Sequence, residues 1–435
     1  MLKPVQHDGE RMTATTAAPP RIVTLDIVRG IAVMGILAMN IVAFSMPFAA
    51  YMNPIAYGIE GPADYASWLL SFIFIDGKMR GLFSLLFGAS MLLVIERAGA
   101  KGESAASVHF RRMAWLLLFG LLHLYFVWFG DILTGYALVG MIAWLFRGKS
   151  PGALVRLGIL FITIQLFVFA GLAGATYFLQ QSAAAPDAAA DVVQQWQGMQ
   201  RMFGASAGQP LMDKLALFRG SYPAIVEYRL ANHALGPITT LAMFGWETLG
   251  YFLFGMAALK GGFLTGQWEN KSYRKVALVG LAIGVPTYAL LAWALAVAGY
   301  SVPAVLAVVL AATVPFRPLM VVAYAALIIV ATRRGGWLVE RIAAAGRAAF
   351  TNYLGTSILM TSLFYGYGLG LYGELSRAEL WIVVIAMWAV MLAWSKPWLD
   401  RFAYGPFEWL WRSLARWEIQ PLRRRPPEGT AAARA

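Results

Sequence analysis

LVRLGILFITIQLFVFAGLAGATYFL, residues 154–179, carries a single charge, Arg156, near its start. A stretch this long and this apolar cannot be the amphipathic helix of a soluble globule, which needs a polar face. About 20 apolar residues in a helix cross a hydrocarbon core roughly 30 Å thick, and a helix satisfies its own backbone hydrogen bonds there. Working outward, nine further apolar stretches follow the same rule: residues 27–50, 66–95, 114–129, 132–146, 238–259, 276–299, 302–331, 349–366 and 378–395. The pattern predicts an all-α, polytopic membrane bundle of about ten transmembrane helices. Composition agrees, since 60% of the 435 residues are hydrophobic and 13% charged, outside the ordinary range for a water-soluble domain.

The stretches divide the chain. Residues 1–21 are polar, contain TATTAAPP and lack the pattern of a cleavable signal, so they read as a disordered cytoplasmic tail. Residues 22–180 form an N-terminal membrane domain of five spans. Residues 181–237 form a large extracytoplasmic loop, opening on the low-complexity SAAAPDAAAD and continuing into amphipathic pieces with Trp196, Met199, Phe203, Leu215 and Phe218 at helical spacing. Those pieces either lie on the membrane face, or lid a cavity, or form a solvated connector. Residues 238–412 hold five more spans plus an interfacial helix rich in Trp and Arg, and residues 413–435 form a basic cytoplasmic tail.

Lys and Arg accumulate in alternate loops. One set holds Arg97, Lys101, Arg111, Arg112, Arg147, Lys149, Arg156, Lys260, Lys271, Arg274, Lys275, Arg333, Arg334, Arg341 and Arg347, together with both chain ends. The opposite loops hold Arg201, Lys214, Arg219, Arg229 and Arg377. The positive-inside rule therefore sets both termini in the cytoplasm of a multi-pass protein of the bacterial inner (plasma) membrane. The net charge of +13 reads as topology plus attraction to anionic membrane lipids, and no nucleic-acid partner is expected. The absence of cysteine excludes thiol catalysis, disulfides and thiolate metal sites, and four scattered histidines offer no zinc pair. No metal and no tightly bound cofactor is expected.

Function is sought among polar groups inside apolar spans, where an ionisable side chain is costly unless paired or facing water. Asp26, Arg29 and Asn40 recur along one side of the first span, as a substrate-facing stripe or an edge ion pair. Asp76 and Arg80 can pair at helical spacing, leaving Lys78 as an extra cation. The surrounding stretch is either one long helix with a charged waist or an interfacial helix followed by a span starting near Met79. His123 is the one histidine inside a span, followed by Asp131 at a Gly-Asp turn and by Tyr136 on the returning helix. Imidazole suits proton transfer near neutral pH, although a lone histidine is more often packing. Glu247 and Arg317 fall near mid-membrane and could pair. Pro303, Pro315 and Pro318 predict a kinked or broken span, which packing alone could also explain.

Several blocks resemble a known family. RIVTLDIVRGIAVMGILAMNIVAF (21–44), FSLLFGASM (83–91), RRMAWLLLFGLLHLYFVWFGDILTGYALVG (111–140), GRAAFTNYLGTSIL (346–359) with Asn352, and YGPFEWLWR (404–412) are similar to the YeiB-like bacterial membrane proteins, the domain of unknown function 418 family. That resemblance implies the fold and leaves the activity open. The opening pattern of Leu25, Asp26, Arg29, Gly30, Ala32 and Asn40 more distantly resembles transmembrane acyltransferases of the heparan-α-glucosaminide N-acetyltransferase type. It implies transfer of an acyl group from a cytosolic acyl-CoA donor to a small-molecule or glycan acceptor.

On that reading His123, Asp131 and Tyr136 are the catalytic candidates. Asp26, Arg29, Asn40, Lys78, Arg80, Glu247, Arg317 and Asn352 are the substrate-binding ones. A transporter with Lys78, Arg80, Glu247 and Arg317 along its path, and a non-catalytic scaffold, are the alternatives. Convergence of the polar residues on one cavity favours the enzyme; individually paired charges favour the scaffold. Small-residue spans permit a homo-oligomer without specifying one.

Overall fold

A computed structural model describes residues 22–205 and 208–424. The expected disordered tail, residues 1–21, lies outside the described residues, as do the last eleven residues of the basic C-terminal tail. The described chain is helical with no strands. In order the helices are α1 Val23–Ser45, α2 Phe48–Met52, α3 Pro62–Phe74, α4 Lys78–Ala100, α5 Ala105–Leu122, α6 Leu133–Ala143, α7 Pro151–Ala183, α8 Ala190–Phe203 and α9 Gln209–Phe218. They continue as α10 Tyr222–His233, α11 Gly236–Lys260, α12 Asn270–Val297, α13 Val302–Val305, α14 Arg317–Thr332, α15 Trp337–Arg347, α16 Ala349–Phe364, α17 Leu380–Arg401 and α18 Pro406–Arg416.

All ten apolar stretches are largely helical, but they are not equally suited to crossing a bilayer. Six helical segments are long and apolar enough among the described residues: α1, α3 with α4, α5 with its π-helical extension to Val127, α7, α12 and α17. A seventh is the pair 302–312 and 317–332, bent by 50°. Of the other three stretches, α6 has 11 residues, α16 has 16, and α11 is long but interrupted by Glu247. The predicted kink at the prolines is therefore present, with a π-helical turn at Leu306–Ala312 and Pro318 just inside α14.

The bundle is organised around α1, which is buried along most of its length, whereas α5, α7, α12 and α17 present most of their surface outward. Burial follows from close backbone approach. Gly30 of α1 faces Ile342 of α15, and Gly346 of α15 faces the Asp26 carbonyl so closely that no Cβ fits at either position. α4 and α11 cross in the same way, Gly88 against Phe252 and Gly255 against Leu85. Without a hydrophobic force between helices inside lipid, such small-residue contacts maximise dispersion and hold the pairs together.

Hydrogen bonds between distant segments define two ends of the bundle. At one end Trp411 Nε1 of α18 donates to the Arg112 carbonyl at 3.0 Å and Lys260 Nζ donates to the Arg147 carbonyl at 2.8 Å. This is the terminal end, since α1 starts there and α18 lies across it. At the other, the loop end, Gly373 N donates to the Ser45 carbonyl at 2.7 Å and Asn53 Nδ2 donates to the Phe203 and Tyr300 carbonyls.

The described parts of the 181–237 segment, residues 181–205 and 208–237, dock on the loop end. Leu215, Phe218 and Ile225 are buried there, and Phe203 with Trp196 and Met199 packs near Val302 and Leu306. It is a built cover, not a solvated connector. Two boundaries shift: α7 runs to Ala183, past the end of the stretch at 179, and α18 continues through Arg416, so the basic tail starts later than residue 413.

Gly346→Ala is expected to destabilise the protein by about 1–3 kcal/mol, the usual cost of overpacking, because backbone must move to admit the methyl. Gly355→Ala, with open space at its Cβ, should be neutral. Thermal midpoints in detergent micelles check the pair, and equal midpoints would remove the α1–α15 contact as an organising element.

Candidate functional site

α5 does not end as a plain α-helix. Its last turn, His123–Val127, is π-helical, and the chain then breaks at Trp128 before α6 begins. π turns occur disproportionately at functional positions because the extra residue turns a side chain off the regular helix face. Here it buries His123, which is 2% exposed. Asp131, in the break, approaches from the other side: its Oδ1 lies 2.9 Å from His123 Nδ1, and its Oδ2 accepts from Thr134 N at 2.7 Å. One oxygen thus caps the start of α6 and the other holds the imidazole. A proton on Nδ1 shared with the carboxylate leaves Nε2 as the acceptor, and Nε2 is buried without a hydrogen-bond partner among the described residues.

Tyr353 of α16 lies against this pair, its ring 5.3 Å from the imidazole and its hydroxyl accepting from Ile132 N at 3.2 Å. The same tyrosine lines a cavity of about 440 Å³ at the terminal end. Asp26, Arg29, Arg97, His109, Arg112, Arg347, Glu408 and Arg412 line it with the apolar Phe83, Phe87, Met91, Leu116 and Leu133, and Tyr136 lines it too. Arg29 bridges Asp26 at 3.1 Å and Ser90 at 2.6 Å, and so lies within the wall. Glu408 of α18 accepts from Phe350 N at 2.7 Å and from Thr351 N and Oγ1, tying α18 onto the start of α16. Burial nevertheless pushes its carboxyl above the ordinary range. Five arginines against two carboxylates make the cavity a place for an anion, and its apolar walls admit a chain.

The remaining candidates are not joined to the His123–Asp131 pair by a hydrogen bond. Tyr136 is not hydrogen-bonded to His123; its hydroxyl is 2.6 Å from Ser84 Oγ. Asn40 is buried on α1 away from the cavity lining. Asn352 donates to the Ala345 carbonyl and Ser395 Oγ and accepts from Trp394 Nε1 at 2.9 Å, so it fastens α15, α16 and α17. Asp76 and Arg80 do not pair as their spacing suggested. Gly77, at φ +69°, breaks the helix between them, and Asp76 accepts from Tyr51 instead. Arg80 reaches Glu247 at 2.8 Å, and Arg317 pairs with the other carboxylate oxygen and with Thr313. Lys78, fully buried, donates to the Phe72 carbonyl and lies 3.2 Å from the Tyr288 ring centroid.

The polar residues therefore form two groups: the cavity with the His123 pair, and a charged cluster of Arg80, Glu247 and Arg317 whose partners are one another. Sequence reasoning missed Tyr353, His109, Arg97, Arg112, Arg347, Arg412 and Glu408. The four arginines read as topology in the sequence; the signal for Tyr353 and Glu408 is only their presence in the family-like blocks, and His109 lies outside those blocks.

An all-helical bundle with several bilayer-length helices and buried ion pairs defines a polytopic membrane protein. By comparison with known sequences the chain belongs to the YeiB-like family of proteins of unknown function, DUF418, whose family model matches residues 258–418. It is 34% identical over 411 residues to uncharacterized protein YeiB of Escherichia coli (strain K12), covering 91% of this chain and 96% of that one. It is 33% identical over 417 residues to uncharacterized protein YxaH of Bacillus subtilis (strain 168), covering 94% and 97%. A third relative, an uncharacterized 39.9 kDa protein of Bacillus acidopullulyticus, is 25% identical over 92% of this chain and 94% of its own length. No solved structure matches.

Glu247→Gln should cost about 3–5 kcal/mol, because it leaves the buried Arg317 and the half-buried Arg80 guanidinium groups facing a neutral amide. The check is the thermal midpoint by tryptophan fluorescence, and an unchanged midpoint would mean that water already screens the cluster.

Proposed function

We propose that the protein is a membrane-bound O- or N-acyltransferase that draws an acyl group from an acyl-CoA-type donor and passes it to a small-molecule or glycan acceptor. The observation that carries the reading is the His123–Asp131 pair with its free, buried Nε2, set beside the wall of a basic cavity. In this reading the protein is a ten-span resident of the bacterial plasma membrane with both termini cytoplasmic. The terminal end then faces the cytosol, where the donor is, and the loop end faces outward. Lysine and arginine distribution supports that orientation. Arg29, Arg97, Arg112, Arg347 and Arg412 would hold donor phosphates, while Phe83, Phe87 and Met91 flank the pantetheine and acyl chain.

The chemistry is conventional general-base catalysis. His123 Nε2 takes the proton of an acceptor hydroxyl or amine as its heteroatom attacks the thioester carbonyl. The carbon–sulfur bond breaks, the new ester or amide forms, and the imidazolium returns the proton to the departing thiolate. Asp131 keeps the ring oriented and stabilises its charged form. Tyr353 touches both the cavity and the imidazole, so in this reading the thioester approaches Nε2 alongside that ring.

Transport is the second reading, favoured by the 50° break between 302–312 and 317–332 beside Arg317. Against it, Glu247 is already held by both Arg80 and Arg317.

Acyl-CoA hydrolysis by the full chain in nanodiscs is the acceptor-independent test. His123→Ala should lower turnover about 10²–10⁴-fold, the usual worth of a general base, and Asp131→Asn should fall between it and wild type. Turnover independent of His123, or none with several donors, would leave transport as the better reading. Arg29→Ala together with Arg112→Ala is expected to raise KM for the donor far more than it lowers kcat, increasingly so at low salt. An unchanged KM would dismiss the cavity as the donor site.

A further inference from the structure

The cover formed by residues 181–205 and 208–237 carries one feature that neither topology nor packing explains. Arg229 of α10 is 1% exposed, and among the described residues none of its three guanidinium nitrogens has a hydrogen-bond partner and no carboxylate lies within ion-pairing distance. Its guanidinium carbon lies 5.7 Å from the Tyr365 ring centroid, and the guanidinium acts on the hydroxyl of that same tyrosine. The Tyr365 hydroxyl is itself buried without a partner, and so is Trp128 Nε1. A buried arginine is ordinarily answered by a carboxylate or by carbonyls, as Arg377 is by the Ala50, Pro54 and Tyr57 carbonyls at this same end. Arg219, on the same cover, pairs with Glu374 and with the Tyr372 carbonyl. Arg229 is the exception.

The orphans are also beside the candidate reaction centre. α10 packs on the π-helical turn that bears His123, Tyr222 donates to the Phe126 carbonyl at 2.9 Å, and Tyr125 donates to the Ala234 carbonyl at 2.9 Å. Trp128 ends that turn, 6.4 Å from the His123 ring. Trp128 and Tyr365 belong to one buried cluster with Ile225 of α10, and the donors of Arg229, the Tyr365 hydroxyl, which can also donate, and the indole N–H of Trp128 are together short of acceptors and positive. What complements it is an oxyanion with several acceptor oxygens.

We propose that Arg229, Tyr365 and Trp128 form an oxyanion-recognition site at the loop end, and that the acceptor acylated at His123 is a phosphate-bearing molecule anchored there. The second clause rests on the acyl-transfer reading; the site itself does not. A phosphate can come from a free solute or from an anionic lipid headgroup, and both present the same chemistry to the guanidinium.

The test is the thermal midpoint of the full chain in phosphatidylcholine nanodiscs, titrated with inorganic phosphate against sodium chloride at matched ionic strength. Wild type should show a saturable rise with phosphate. Arg229→Met, which removes an unanswered charge among aromatic rings, should be at least as stable as wild type in chloride and lose the phosphate response. Tyr365→Phe should raise the half-saturating concentration several-fold. If the anion is a lipid headgroup, phosphatidylglycerol nanodiscs raise the wild-type midpoint without added phosphate and leave Arg229→Met unmoved. Should Arg229→Met not fold, Tyr365→Phe alone decides.

Equal phosphate responses in wild type and the variants, or no response to phosphate or phosphatidylglycerol, overturn the site. Phosphate binding that depends on Arg229, without His123-dependent turnover, keeps the site and removes only its assignment to an acyl acceptor.

Discussion

Glu247 is one buried carboxylate held between two guanidinium groups, and much of the middle of the molecule is arranged around it. Arg80 comes from α4 and Arg317 from α14, so the carboxylate of α11 ties three helices at once. The break at Gly77 and the bend before α14 become intelligible as the backbone conformations that let both arginines arrive. Gly77 has positive φ, and a Cβ there would collide with the Arg317 side chain. Charges in low dielectric bind strongly and are costly alone, so such a cluster specifies one arrangement of helices more sharply than apolar packing does.

That cluster also separates the two halves of the functional problem. The cavity lies at the terminal end and the Arg229 group at the loop end, packed against the turn that bears His123. A transferase that works across a membrane needs this disposition: one substrate enters on each side, and proton transfer occurs at a point neither shares with bulk water. A carrier needs instead a single path that opens alternately, and a Glu247 carboxylate already engaged by two guanidinium groups gives a travelling cation little to bind.

The helices were legible because hydrocarbon thickness imposes a length and an apolarity that any reader of the sequence can count. His123 and Asp131 stood out for a simple reason as well: a histidine and an acid close to the same turn are conspicuous in an apolar neighbourhood. Glu247 and Arg317 were matched by depth. The partner of Arg80 was not, because helical spacing points to Asp76 and only the break at Gly77 redirects it. The cavity arginines were illegible in a different sense. Arg97, Arg112 and Arg347 obey a topological rule, and a residue already accounted for by one cause gives no sign of a second. Arg229 was hidden by its setting, since a basic residue in a loop is unremarkable until the loop is seen folded over it.

The π-helical turn at His123–Val127 has a consequence for how this site could have arisen and how it can be lost. An extra residue within one turn is what a single-codon insertion leaves behind when both flanking anchors stay in place. α5 is anchored before the turn by Gly120 against Thr134 and after it by Trp128 stacked on Phe44 at 3.8 Å. Removing one residue between those anchors would restore a regular helix and carry the imidazole roughly 100° around the helix axis, away from Asp131. Reading-frame-preserving changes in chain length are thus more dangerous here than most side-chain substitutions, and relatives that differ by one residue in this turn should be expected to have parted company in chemistry while retaining the fold.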